Sequence, residues 1–308
     1  MSARWRKLGL LYRPGETGRH AKLRTHAANP LPVQIDGDLY RIYFSARDDQ
    51  KRSSVGAVDI DIVRREIIAE YGKPVFEHGP AGSFFAAGVS LGCSYEVGQV
   101  RYLLFMGWQN PVGGHWRGDI GRLTIQPDFG LELECPEPVM GASSDDPISL
   151  SYPWVMKMNT GEYRMWYGST RSWDAGNGEM LHVINSARSD NGHDWTPEGL
   201  AVPYELGTSQ AFSKPTVIVD PRSGAYSMWF SCRGAEGDGY RIGYACSEDA
   251  IDWRLANAEA GITVSDSGWD SEMIEYPHVF DHAGHYYMLY NGNGYGKSGF
   301  GLAVLSDG

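Results

Sequence analysis

The feature that most constrains this chain is a hairpin that recurs five times. A short apolar strand runs into a polar turn containing glycine, then into an aromatic-rich strand. The copies are PVQIDGDLYRIYFSARD, LGCSYEVGQVRYLLFMGW, VMKMNTGEYRMWYGSTR, VIVDPRSGAYSMWFSCRG and VFDHAGHYYMLYNGNG. Their turn glycines, Gly37, Gly98, Gly161, Gly224 and Gly284, are spaced by 61, 63, 63 and 60 residues. A period of this size marks a repeated supersecondary unit, and tight hairpin turns favour glycine because they require positive φ. A second marker keeps step. Pro30, Pro153, Pro215 and Pro277 are each expected to open the first strand of a repeat, where proline is tolerated. The second repeat lacks this proline and carries Gly88 nearby.

After each hairpin comes a third strand with small residues: SSVGAVDI, GDIGRLTI, HVINSARS, RIGYACS and GFGLAVLS. A fourth, apolar strand is expected at KPVFE, EPVMG, LAVPYE and GITVS. The last repeat reaches Gly308 without one, and LGLLYRPG near the N-terminus (Leu8–Gly15) fits the missing strand. The expectation is an all-β chain: a five-bladed β-propeller with four antiparallel strands per blade. It forms one domain over residues 1–308, and the N-terminal strand completes the last blade so that no edge is left open. In the turns Ser189–Trp195 and Ser247–Trp253, which are similar to the Asp-box turns of sialidases, the tryptophan is expected to pack between neighbouring blades.

The composition excludes several function classes. A net charge of -11 argues against a nucleic-acid partner. No apolar run is long enough to span a membrane, so no membrane association is expected, and the stretch Leu8–Leu11 is too short for a signal peptide. Cys93, Cys135, Cys232 and Cys246 show no CxxC spacing, so they read as reduced thiols in a cytoplasmic protein. The histidines form no HxxxH or HExxH pattern, so neither a metal site nor a cofactor is expected. The glycine-rich Asn291–Lys297 resembles a phosphate loop but joins two strands, with no helix N-terminus to hold a phosphate.

Antiparallel alternation places the start of each first strand and the end of each second strand on one face of the disc. The first set includes His26 and Asn29, Tyr152, Lys214, Glu275 and Tyr276. The second includes Arg47 and Asp48, Trp108, Arg171, Arg233 with Glu236, and Asn293. These residues differ from blade to blade although the turns repeat, which implies one asymmetric pocket rather than a multivalent lectin. Aromatic side chains beside arginine, asparagine and carboxylates suit a saccharide, which stacks its apolar face and hydrogen-bonds through its hydroxyls.

Glu275-Tyr276-Pro277-His278-Val279 resembles the blade-start motif at which arabinanases and invertases carry their general acid. Trp269-Asp270-Ser271 is similar to loops in the same five-bladed glycosidase superfamily, which also includes xylosidases, levansucrases and mannoside phosphorylases. Asn29-Pro30, Arg47-Asp48 and Ser53–Gly56 look more like the mannoside phosphorylases. No single family is matched in full. Where arabinanases and invertases place an aspartate in blade one, this chain has Asn29. Where the phosphorylases place theirs in blade two, it has Phe85-Ala86-Ala87-Gly88. The resemblance implies a carbohydrate-active enzyme and carries over only Glu275, as the acid.

Glycoside hydrolysis normally takes two carboxyl groups. Asp48 is the first candidate for the second, with Asp270, Asp145 and Asp146 as alternatives. A structural role competes in each case: a turn carboxylate for Asp48, a salt bridge to Lys214 or an arginine for Glu275. Arg24, Arg47, Arg171, Lys214 and Arg233 with His26 and His278 could bind phosphate or an anionic sugar, in which case a phosphorylase or glycosyl transferase needs only one acid. A catalytically silent glycan-binding propeller and a protein-binding scaffold are the remaining readings.

Overall fold

The computed structural model describes residues 4–15, 20–220, 223–235 and 237–306, so Glu236 lies outside it. The described chain is all-β apart from two single-turn 3-10 segments, and none of its helices is long and apolar enough to cross a membrane. The first strand, β1 (Trp5–Tyr12), is followed by four consecutive antiparallel four-strand units. These are β2 to β5 (Thr25–Asp36, Leu39–Arg47, Ser53–Asp61, Glu66–Glu70), and β6 to β9 (Gly88–Val97, Val100–Gln109, Arg117–Ile125, Leu131–Leu133). Then come β10 to β13 (Ser149–Lys157, Tyr163–Ser172, Leu181–Ser189, Thr196–Leu200), and β14 to β17 (Ala211–Val219, Tyr226–Arg233, Arg241–Ser247, Arg254–Leu255). The last unit is β18 (Glu275–His282), β19 (His285–Asn291) and β20 (Phe300–Leu305), with β1 as its fourth strand, antiparallel to β20. The first strands β2, β6, β10, β14 and β18 contact one another in a closed cycle.

The sheets do not divide one per unit. Single parallel pairs, Ser53 with Gly88 and His182 with Ala211, fuse the first two units and the next two into eight-stranded sheets. All five turn glycines have positive φ, between 50° at Gly37 and 93° at Gly161, as the hairpins demand.

Three expectations are corrected. The closing strand runs from Trp5 to Tyr12 rather than Leu8 to Gly15. The fourth strands lie upstream of the apolar segments assigned to them. Val75, Val139 and Ala201 instead donate backbone hydrogen bonds to third-strand carbonyls of Val55, Ile120 and Ile184; they are apolar because they fold back over the core. Lastly, the prolines sit inside the first strands, each at a β-bulge. Asn29-Pro30 lies opposite Phe44, Tyr152-Pro153 opposite Tyr167, Lys214-Pro215 opposite Phe230 and Tyr276-Pro277 opposite Tyr290. Proline has no N–H to give the ladder, so the pairing skips it. The same bulge occurs in the second unit at Gly92-Cys93 opposite Leu104, so Cys93 stands where the other units have proline, and Gly88 lies upstream of the bulge.

Five buried clusters fill the spaces between consecutive units. Trp253 packs edge-on to Trp166 between the third and fourth units, and Trp195 lies against the cluster between the second and third, as expected. The cluster between the last and first units depends on the closing strand. Tyr12 lies 5.2 Å from Phe44 and 5.4 Å from Phe300, ring centre to ring centre, and donates to Glu70 at 2.6 Å. Tyr12→Ala is therefore expected to cost about 3–5 kcal/mol in chemical denaturation, whereas Leu10→Ala on the same strand, at a residue 40% exposed, changes stability by less than about 0.5 kcal/mol.

Candidate functional site

A cavity of about 300 Å³ opens at the face where first strands begin and second strands end. Every unit contributes: Asn29 and Arg47 from the first, Trp108 from the second, Tyr152 from the third, Arg233 from the fourth and Tyr276 from the last. The bulges aim several of these side chains. Asn29, Tyr152 and Tyr276 each occupy the first bulge position with φ of 53°, 39° and 53°, a region bulky residues rarely adopt and one concentrated at functional sites. Sequence reasoning missed Trp116, Met180, His182, Tyr240 and Tyr295, which also line the cavity. The signal was available: the loops joining second to third strands open on the same face.

Glu275 is fully buried next to the lining residue Tyr276, and neither carboxyl oxygen has a partner at good hydrogen-bond geometry among the described residues. Burial pushes its pKa well above the usual carboxylate value, against the opposing pull of Arg47, Arg233 and the neighbouring Tyr276 hydroxyl. It immediately precedes the last unit's bulge, and the corresponding residues of the other units are Ala28, Leu91, Ser151 and Ser213. Ala28 and Ser213 line the cavity. A small or apolar side chain thus satisfies the fold at this position, and an unpaired carboxyl group costs stability there.

The basic residues divide. Arg233 is neutralised by buried Glu179, with Nη2 donating to Oε1 at 2.8 Å and Nε 2.7 Å from Oε2. Arg47 lines the cavity with no hydrogen-bonding or ion-pair partner among the described residues. His26 lies beside it, its pKa lowered to about 4 by burial and by the charges of Arg47 and Lys297. Lys214 is not in the cavity; it is buried within the cycle of first strands and donates to the Gly92 carbonyl at 2.6 Å. Arg171 stands outside the lining, tied to the Asp145 carbonyl and Asn185. Asn293 braces a loop, accepting from the backbone of Glu272 and Met273.

The second carboxylate is not where the sequence suggested. Asp48 lies in the turn after β3, outside the lining, and accepts from the backbone of Gln50 and Arg52 and from the Arg52 side chain. Burial alone would raise its pKa, but these bonds outweigh that and hold it low. Asp270 is bound to Lys7 and Tyr290, and Asp146 to Tyr167 and Asn185. No Asp or Glu lines the cavity among the described residues, and no cluster of three metal-ligating side chains occurs among them. A larger recess of about 720 Å³ lies on the other side of Arg233. Its exposed arginine, Arg241, is spent on the carbonyls of Gly239, Tyr240 and Glu272, so the smaller cavity is the better candidate.

Two Mycobacterium tuberculosis proteins, the uncharacterized proteins MT1551 (strain CDC 1551 / Oshkosh) and Rv1502 (strain ATCC 25618 / H37Rv), are each 43% identical to this chain over 305 residues. The match spans 98% of this chain and 99% of each relative. The chain belongs to their family. No family model matches it. Among solved structures, the chain is similar to one described as a glycoside hydrolase (TM-score 0.75, 12% identity, 99% of this chain and 91% of the other). Another is from work on the mannoside phosphorylase family GH130 and its hydrolases acting on β-1,2 mannosidic linkages in Candida mannan (TM-score 0.72, 13% identity, 99% and 94%). A third is an endo-arabinase from Bacteroides thetaiotaomicron (TM-score 0.61, 13% identity, 95% and 98%). At these identities the likeness establishes an all-β, propeller-type fold.

In this member of the family the cycle of first strands encloses a lysine that has no counter-charge among the described residues. Besides the Gly92 carbonyl, Lys214 Nζ has His278 Nδ1 at 3.5 Å, and Cys93 lies nearby. Burial lowers its pKa to about 7, with Cys93 pulling weakly the other way, and burial together with Lys214 lowers that of His278. Between about pH 7 and the ordinary lysine pKa the unfolded chain holds a proton that the folded chain has released. This contribution therefore destabilises fully below about pH 7 and fades as pH rises toward the ordinary value. Lys214→Met should remove this rise in stability, read from urea denaturation at about pH 7 and pH 9.5; an identical slope in both proteins would show that the lysine is not a buried titrating group.

Proposed function

We propose that this chain is a five-bladed β-propeller enzyme, a single domain over residues 1–308, that cleaves or transfers a glycosidic bond with Glu275 as general acid. The observation that carries this reading is the fully buried Glu275 carboxyl, with no ion-pair partner among the described residues and its pKa raised by burial, beside the lining of an asymmetric cavity. A carboxyl group whose pKa is raised by burial suits the acid that protonates a departing sugar oxygen. Tyr152, Tyr276 and Trp108 supply ring faces and Asn29 a polar edge for a saccharide. The solved relatives by fold, glycoside hydrolases and a GH130 protein among them, support a carbohydrate-active enzyme.

Within this reading, transfer to an anionic acceptor such as inorganic phosphate fits better than hydrolysis. The cavity has Arg47 without a counter-ion and no second carboxylate among its described lining residues. In phosphorolysis Glu275 gives its proton to the glycosidic oxygen as the bond to the anomeric carbon breaks. A phosphate oxygen held by Arg47 forms the new bond to that carbon, and the acceptor's proton returns to Glu275. Asp48, tied into its turn, has no part in this scheme.

Sugar release from aryl-glycosides and oligosaccharides, assayed with and without inorganic phosphate, separates the two chemistries. Phosphate-dependent release that falls on Arg47→Ala supports phosphorolysis; release indifferent to phosphate would return the reading to hydrolysis. Glu275→Gln should lower turnover by about 10²–10⁴-fold, and unchanged turnover would remove Glu275 from the mechanism. The same variant should be more stable than the wild type at about pH 8. In the folded protein the raised pKa keeps Glu275 protonated where the unfolded chain is ionised, which favours unfolding as pH rises; the gain should shrink toward about pH 4, where both states are protonated.

A further inference from the structure

The cavity is continuous with a set of aromatic rings that leads out of it. His182 is held inside, with Nε2 2.7 Å from Ser151 Oγ and Nδ1 2.7 Å from Thr170 Oγ1. Trp116, on the loop before β8, lines the cavity and meets His182 at a ring separation of 6.2 Å. Trp173, on the loop after β11, lies outside the lining and packs edge-on against Trp116 at 4.8 Å. His115 stacks on Trp173 at 4.6 Å with an interplanar angle of 21°.

These rings are not part of the core. Trp116 and Trp173 belong to none of the five buried clusters and are both partly exposed, while His115 is exposed. Neither indole N–H has a protein acceptor among the described residues. Trp108, also at the cavity, donates to Ser53 at 3.0 Å, but the buried indole N–H groups of Trp5, Trp154, Trp166 and Trp195 likewise lack an acceptor among the described residues, so it is the place at the rim that sets Trp116 and Trp173 apart. Large aromatic side chains left at a rim, with free donors, are what a ligand with apolar faces and hydroxyl edges uses.

The cavity's size says which part of a ligand reaches this rim. At about 300 Å³ it is at the small end of ligand sites, so a longer saccharide places one ring in it and the next at its rim. We propose that Trp116, Trp173 and His115 form an outer subsite that stacks the next ring of an oligosaccharide with one ring in the cavity. This rests on the carbohydrate reading above and deepens it: the substrate is a saccharide of at least two sugar rings.

Calorimetric titration with the mono-, di- and trisaccharides of arabinan, fructan and β-1,2-linked mannan tests this. In the series that binds, the wild type should hold the disaccharide about tenfold more tightly than the monosaccharide, with little further gain for the trisaccharide. Trp173→Ala should erase most of that advantage and leave monosaccharide affinity unchanged, and Trp173→Phe should restore much of it, a roughly tenfold effect being usual for a ring anchor. Equal weakening of mono- and disaccharide, or no weakening of either, would overturn the outer subsite while leaving the cavity as a sugar site. If the wild type binds no saccharide of any length, the carbohydrate reading and the outer subsite fall together.

Discussion

The pairing of β1 with β20 is the contact on which the remaining architecture depends. Each unit buries one face against the next, and the five clusters between units account for the core. A linear series of such units would leave β20 as an open edge and the cluster around Phe44 and Phe300 half built. The N-terminal strand covers that edge and inserts Tyr12 into the cluster, so both chain ends are committed to one sheet. Closure of this kind removes the pairing hazard of a free edge and fixes the inner strands around a common space.

The inner strands carry the second constraint, the bulge repeated in all five units. Two residues stand opposite one, and in four units the first of the two has positive φ. Asn29, Tyr152, Lys214 and Tyr276 gain nothing locally from that conformation, and the surrounding sheet must hold them in it. What the fold gains is direction. Three of these side chains line the cavity, and the fourth crosses the central space to the Gly92 carbonyl. Repetition of backbone geometry with variation of side chain is how a symmetric scaffold acquires one asymmetric site.

Glu275 and Lys214 are both buried at this centre, and both are shifted toward their neutral forms. Among the described residues neither Glu275 nor Lys214 forms an ion pair, and they do not pair with each other. Had they formed a salt bridge, both would be ordinary structural charges. Their separation leaves the carboxyl unneutralised, at a cost in stability that the five surrounding clusters absorb.

The sequence by itself determined the repeat, its length, the turn glycines and the face on which a site must lie, because strand alternation and turn chemistry are local and leave periodic marks. It also singled out Glu275, through the resemblance of Glu275-Tyr276-Pro277 to a blade-start motif; that the other units have Ala28, Leu91, Ser151 and Ser213 at this place came only from the strand register. It misplaced the fourth strands, because a segment folded back over the core is as apolar as a strand. It read the prolines as strand openings, because a bulge is defined by what lies opposite it. Whether Asp48, Asp270 and Asp146 were available was decided only by tertiary structure. A carboxylate's role depends on which donors reach it, and Arg52, Lys7 and Asn185 are brought to these groups by turns and packing that composition does not record.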